Sequence, residues 1–127
     1  MSDTDSLFTR IGGEQGVVRL VKSDLHALET LREAEELRRL YPADLSVYEP
    51  RMIEFLTGWL GGPALYLERH GMPMLRENHI RLPIDEKARD AWMFCMRHAL
   101  AETVPDPELR LQLEGAFWRM ADSLRRA

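Results

Sequence analysis

The chain predicts an all-α fold, and three observations carry that expectation. Apolar residues recur at helical spacing in segment after segment. Strand signals are almost absent, because alternating β-branched runs do not occur. Glycine pairs and prolines interrupt the periodic stretches where helices would have to end. The 127 residues suffice for one core and are too few for two, so a single domain over 1–127 is expected.

The elements follow in order. A short helix over 5–10, with Ser or Asp available to cap it, stops at IGGEQG, where paired glycines permit a tight turn. A second helix, roughly 14–31, places Val17, Val18, Val21, Leu25 and Leu28 on one face. A short helix over about 33–40 stops at Tyr41-Pro42, since proline disfavours helical geometry in the residue before it. The next start has two readings. Ser46 to Glu49 fits a capping box, whereas Glu49 as the cap puts Pro50 in its preferred first helical position. That helix has a clear apolar face of Met52, Phe55, Leu56 and Trp59, and it ends at LGGP. A turn over 64–69 and a short segment over 73–79 precede an irregular stretch through Pro83. A long helix over 85–102 then carries Ala88, Trp92, Cys95, Met96 and Ala99 on one face. The last, about 107–126, carries Leu109, Leu113, Phe117, Met120 and Leu124.

Composition narrows the function. Hydrophobic residues are 45% and charged residues 30% of the chain, as in ordinary globular proteins. The net charge of −4 and the lack of a basic stripe argue against nucleic acid or an anionic membrane surface as partner. No apolar run reaches membrane-spanning length, and the acidic, polar MSDTDSLFTR is unlike a secretory signal. The single cysteine, Cys95, allows no internal disulfide and fits a reducing compartment. A cytoplasmic domain is the expectation.

No zinc spacing, c-type haem attachment motif, P-loop, dinucleotide fingerprint or nucleophile elbow is present. Four histidines remain: His26, His70, His79 and His98. His70 sits before a glycine at a helix end, where the helix dipole favours an ordinary solvated imidazole. His79 closes a short amphipathic turn and is followed by Ile80, Leu82 and Ile84. On the residues alone, a lone histidine there is more often structural than a ligand. One histidine cannot close a zinc site, but it can supply the axial imidazole of a haem in an apolar slot. Leu25, Tyr41, Met52, Phe55, Trp59 and Trp92 offer the apolar and aromatic supply, although by periodicity alone they read as core.

Order and spacing of motifs shift that balance. LFTRIGGEQGV, LRRLYPADL, FLTGWLGGPALYLERHGMPMLRENH and RDAWMFCMRHAL together resemble the group II truncated haemoglobins over most of the chain. The resemblance implies a two-over-two α-helical sandwich around haem b. It implies His79 as the iron ligand and Trp92 as an indole donor beside the distal pocket. It places Tyr41, Met52, Phe55 and Ile84 against the haem, and Tyr66 and Arg76 within reach of the propionates.

The departures from the family pattern matter as much. The family's Phe-Tyr pair in the second helix is here Asp24-Leu25, so the usual distal phenol is absent at that place. Tyr48 lies close to the distal position of the fourth helix, either returning a hydroxyl to the pocket or standing as a surface or gate residue. Asn78 replaces the basic residue before the iron ligand, Arg81-Leu82 replaces Pro-Phe after it, and Met72 replaces a common histidine. Arg81 is a candidate for the lost positive charge.

The expected function is reversible binding of O₂, with NO or CO as further diatomic ligands. With Leu25 in place of tyrosine, retention is expected to be weaker, and Leu25→Tyr to slow ligand escape. Two alternatives stand beside this reading. One is a haem-dependent redox enzyme acting on NO or peroxide with an external reductase. The other is a haem-poor globin-fold sensor or interaction module. His26 or Tyr48 as a sixth ligand is a minor variant. Either a monomer or a homodimer is compatible with the sequence.

Overall fold

The computed structural model describes residues 5–75, 79 and 82–125. The helices are α1 (Leu7–Ile11), α2 (Gly13–Thr30), a 3₁₀ turn (Arg32–Ala34) leading into α3 (Glu35–Arg38), α4 (Tyr48–Trp59), α5 (Leu65–His70), α6 (Glu86–Thr103) and α7 (Pro107–Ser123). No strand occurs among the described residues. Helix α2 packs on α4 and on α6, and α6 packs on α7, so the α2–α4 pair lies against the α6–α7 pair. The all-helical expectation holds, and the arrangement is two helices over two.

Local chemistry explains the boundaries. Ser6 caps α1 by accepting the Thr9 N–H at 3.1 Å. Gly12, at φ 111°, closes α1 in the left-handed region and opens α2. Gly16 is required by contact: a Cβ there would lie 2.1 Å from the Ile11 carbonyl oxygen. Asp85 caps α6 by accepting the Ala88 N–H at 2.9 Å. Asp106 caps α7, with Pro107 at its first position, where the missing N–H has no partner to lose.

The start of α4 follows neither of the two expected caps. The helix begins at Tyr48 after Val47, which has no side-chain cap. The Ser46 N–H donates to Asp44 Oδ1 at 2.9 Å. Pro50 therefore falls inside the first turn, whose N–H groups lack intrahelical partners in any helix, so the proline breaks nothing. Tyr48 is placed at the mouth of the helix as a result.

The core runs along α2, α6 and α7. Val17, Leu20, Val21, Met93, Met96, Leu100, Leu113 and Phe117 are nearly or wholly inaccessible. Burying each such side chain is worth about 1.5–3 kcal/mol relative to leaving it exposed. The apolar stripe of α6 divides in two. Cys95, Met96 and Ala99 enter the core, whereas Ala88 and Trp92, a turn or two earlier, are half-buried and border a cavity. The stripe of α7 divides likewise: Leu109, Leu113 and Phe117 are core, and Met120 and Leu124 border the cavity. Helical periodicity cannot separate these two fates, because both lie on the same helix face.

Candidate functional site

The divided stripes enclose a cavity of about 270 Å³. Helix α4 supplies Tyr48, Met52, Phe55 and Leu56, and the end of α3 with the chain after it supplies Leu37, Leu40, Tyr41 and Pro42. Leu75, His79, Leu82 and Ile84 add a further part of the lining, and Ala88, Arg89 and Trp92 with Met120, Ala121 and Leu124 complete it. The lining is dominated by carbon, with a few polar groups converging on it, as in sites for a large flat cofactor.

His79 is half-buried in that lining, and its Nδ1 lies 2.6 Å from the Leu75 carbonyl oxygen. A carbonyl oxygen only accepts, so Nδ1 must carry the proton and donate it. The lone pair is thereby left on Nε2. A backbone carbonyl holding the second nitrogen is the usual way an imidazole ligand is fixed in tautomer and orientation. Among the described residues no cluster of three or more His, Cys, Asp or Glu could hold a bare metal ion. The donor set fits a cofactor that needs one imidazole from the protein and apolar walls for the rest.

Trp92 faces the cavity from α6, its ring set edge-on to Phe117 at 5.9 Å between centroids. Tyr41 and Tyr48 meet edge to face at 5.0 Å. Tyr48 is therefore an inward-facing residue of the lining rather than a surface one. The two phenols also interact at their hydroxyls, Tyr41 donating toward Tyr48.

The sequence profile of the bacterial-like globin family matches residues 6–125. The chain is a bacterial-like globin. It is 42% identical over 79 residues to the group 2 truncated hemoglobin YjbI of Bacillus subtilis, a stretch covering 62% of this chain and 60% of that relative. Its fold superposes on the group II 2-on-2 hemoglobin of Agrobacterium tumefaciens with a TM-score of 0.93 at 39% identity, covering 99% of this chain and 98% of the other. A cold-adapted truncated hemoglobin from Pseudoalteromonas haloplanktis TAC125 gives 0.93 at 34% identity, over 97% and 99%. Membership implies haem binding, and the residues just described suit it.

Most of the globin residues expected from the sequence converge on the cavity: Tyr41, Tyr48, Met52, Phe55, His79, Ile84 and Trp92 all line it. Others do not. Leu25 is buried at 5% exposure and is not among the residues that line the cavity. Tyr66 packs against Phe55 at 6.2 Å and His70 at 4.9 Å, one layer behind the cavity. Trp59 stacks on Phe117 at 5.1 Å and is 36% exposed, so it supports the core from outside. His26 is exposed and is not among the residues that line the cavity. Arg76, Asn78, Ile80 and Arg81 lie outside the described residues. His70 behaves as a helix-end residue: with Arg69 it holds Glu54, at 2.8 and 2.6 Å, and these bonds, Arg69's foremost, keep that carboxyl below its ordinary range.

Two residues without an expected role emerge. Arg89, within the RDAW motif, borders the cavity and is held by Asp122 at 2.8 Å and Asp90 at 3.0 Å. Its motif was the available signal. Asp24 is 4% exposed, and its Oδ1 makes no hydrogen bond among the described residues. Burial pushes its carboxyl up to about 7. Burial also raises the Tyr41 phenol well above its ordinary value and the Tyr48 phenol to about 12, with Asp24 adding to both shifts. Cys95 is pushed up to about 12, by burial first and Asp24 next, so its thiol stays protonated and unreactive near neutrality.

Proposed function

We propose that this globin binds haem b through His79 and uses it for reversible binding of O₂, with NO and CO as competing diatomic ligands. The observation that carries the reading is the His79–Leu75 hydrogen bond inside an apolar cavity, which leaves Nε2 as the free donor atom. Haem supplies the iron at which a diatomic ligand binds. The chain's own residues do the rest. Met52, Phe55, Leu82 and Ile84 would exclude water and hold the apolar body of the haem. Trp92 makes no hydrogen bond among the described residues, so its indole N–H is available to donate to a ligand that gains negative charge. Tyr48 takes the place of the family's missing phenol from a different helix, with Tyr41 bracing it.

Absorption spectra of the purified protein in the ferric, ferrous and ferrous-CO forms test the reading. A Soret band that shifts on reduction and again on CO binding is expected. No Soret band after haem addition rejects it and favours the haem-poor module. His79→Gly is expected to lose the five-coordinate ferrous spectrum and to regain it with added imidazole. Retention of the wild-type spectrum without imidazole would assign the ligand elsewhere.

A further inference from the structure

Asp24 is the one buried carboxylate among the described residues that the site's chemistry leaves unexplained. It sits in the interior of α2, where Lys22 and Ser23 beside it turn outward to Glu49 and Glu102. Among the described residues, the titratable groups that face it come from three other parts of the fold. Tyr41 comes from the chain after α3, Tyr48 from the start of α4, and Cys95 from α6. No cation is among them. Two of the three, Tyr41 and Tyr48, form the polar part of the cavity wall. A carboxyl in such surroundings has two states with opposite effects. Protonated, it is neutral and leaves the Tyr48 phenol, which accepts from Tyr41, free to donate into the cavity. Ionised, it is a bare acceptor whose strongest available donors are those same phenols, and it places a negative charge behind the ligand.

We propose that Asp24 is a proton-exchange site coupled through Tyr41 and Tyr48 to the cavity, which makes this globin's pocket a proton-linked binding site for small inorganic anions. An anion entering the cavity disfavours the ionised carboxylate, so binding draws a proton onto Asp24. By linkage, protonation of Asp24 strengthens anion binding by the same factor. A neutral ligand has little such coupling. The inference rests on the haem reading above, because the anion is held at the iron.

Azide on the ferric protein and CO on the ferrous protein are the probes. Three proteins are compared, wild type, Asp24→Asn and Asp24→Leu, within about one unit of pH 7. Azide affinity of the wild type is expected to fall with rising pH about tenfold more than that of either variant, one decade being the effect of a single unit of coupling. Proton uptake on azide binding, read with an indicator dye in weak buffer, is expected in the wild type above the level of the variants. CO is expected to give no such difference. Equal proton uptake in wild type and a haem-loaded variant overturns the proposal. Should neither variant load haem, the wild type decides alone. Its infrared difference spectrum, azide-bound minus free, is expected to gain a protonated carboxyl band near neutrality, and absence of that band overturns the proposal. A missing Soret band in the wild type instead rejects the haem reading itself, so the two failures are distinct.

Discussion

At the scale of single residues, polar groups in apolar surroundings give this globin its individual character. Asp24 has a direct consequence for stability. Its folded-state carboxyl is raised to about 7 by burial, whereas an unfolded aspartate ionises near 3.8. Between those limits the folded state holds a proton that the unfolded state has released, so stability falls as pH rises. The loss is complete above about 7, and its upper bound is about 4 kcal/mol, at 1.36 kcal/mol per unit. Asp24→Leu is expected to flatten that slope in urea titrations of the protein at pH 5 and pH 8. An unchanged slope would place the titration elsewhere. Tyr48 leads to a kinetic prediction. One hydrogen bond contributes about 0.5–1.5 kcal/mol net, so Tyr48→Phe is expected to speed O₂ escape by up to about tenfold. Stopped-flow dissociation measures this. No change would mean that Trp92 alone holds the ligand. Leu25→Tyr now carries a different expectation from one read on sequence alone. A ring added to a core site outside the cavity overpacks it, at about 1–3 kcal/mol, before it can serve the ligand.

At the scale of elements, the helix junctions and the ring stack under Trp92 position the site. Phe117 is wholly buried on α7, and both Trp59 and Trp92 lean on it. Phe117→Ala is expected to destabilise the protein by about 3–5 kcal/mol, as for other large core deletions, and to loosen the indole at the cavity. Chemical denaturation reads the first effect and the CO stretching frequency the second. A loss of stability with an unchanged CO stretch would show that Trp92 is oriented independently of the stack. The α1–α2 corner is held by close backbone approach. Gly61 and Gly62, after α4, repeat the device, since a Cβ on either would meet Ser6 or Phe8 at 2.8 Å. The Phe8 N–H donates to the Leu60 carbonyl at 2.8 Å across that contact. The second glycine pair thus fastens the N-terminal helix to the end of the helix that lines the cavity. The boundaries of α2, α6 and α7 lie within a residue or so of their expected places, apart from the last turn of α7, because caps and breakers act locally. The start of α4 does not, because Val47 is held there by the turn before it rather than by a side-chain cap.

At the scale of the whole molecule, the cavity is a shared product of α3, α4, α6, α7 and the segment around His79. Any cofactor that fills it couples all of them. Binding to the folded state alone stabilises it by RT ln(1 + [L]/Kd), about 4 kcal/mol at a thousandfold excess over Kd. Haem addition is therefore expected to raise the melting temperature of the apoprotein by several degrees, and His79→Gly to remove most of the gain. Equal gains in both proteins would point to haem held by apolar contact alone. No helix among the described residues is long and apolar enough to cross a membrane.

The sequence by itself determined the helical class, the glycine and proline punctuation and the family motifs, and through these it pointed to His79 and Trp92, which both line the cavity. These are local signals or ordered strings of them, and they survive without coordinates. It did not separate core from cavity along α6 and α7, since residues bound for either share one apolar face. Nor did it decide which way Tyr48 points, or that Leu25 is not among the residues that line the cavity. Those outcomes depend on where the turn before Val47 sets the start of α4 and on how Tyr41 and Tyr48 pack across two separate segments. The burial of Asp24, with an Oδ1 that has no hydrogen-bond partner among the described residues, was likewise invisible. In the sequence Asp24 stands out only as a departure from the family's Phe-Tyr pair, and it is the packing of α4 and α6 over α2 that removes it from water.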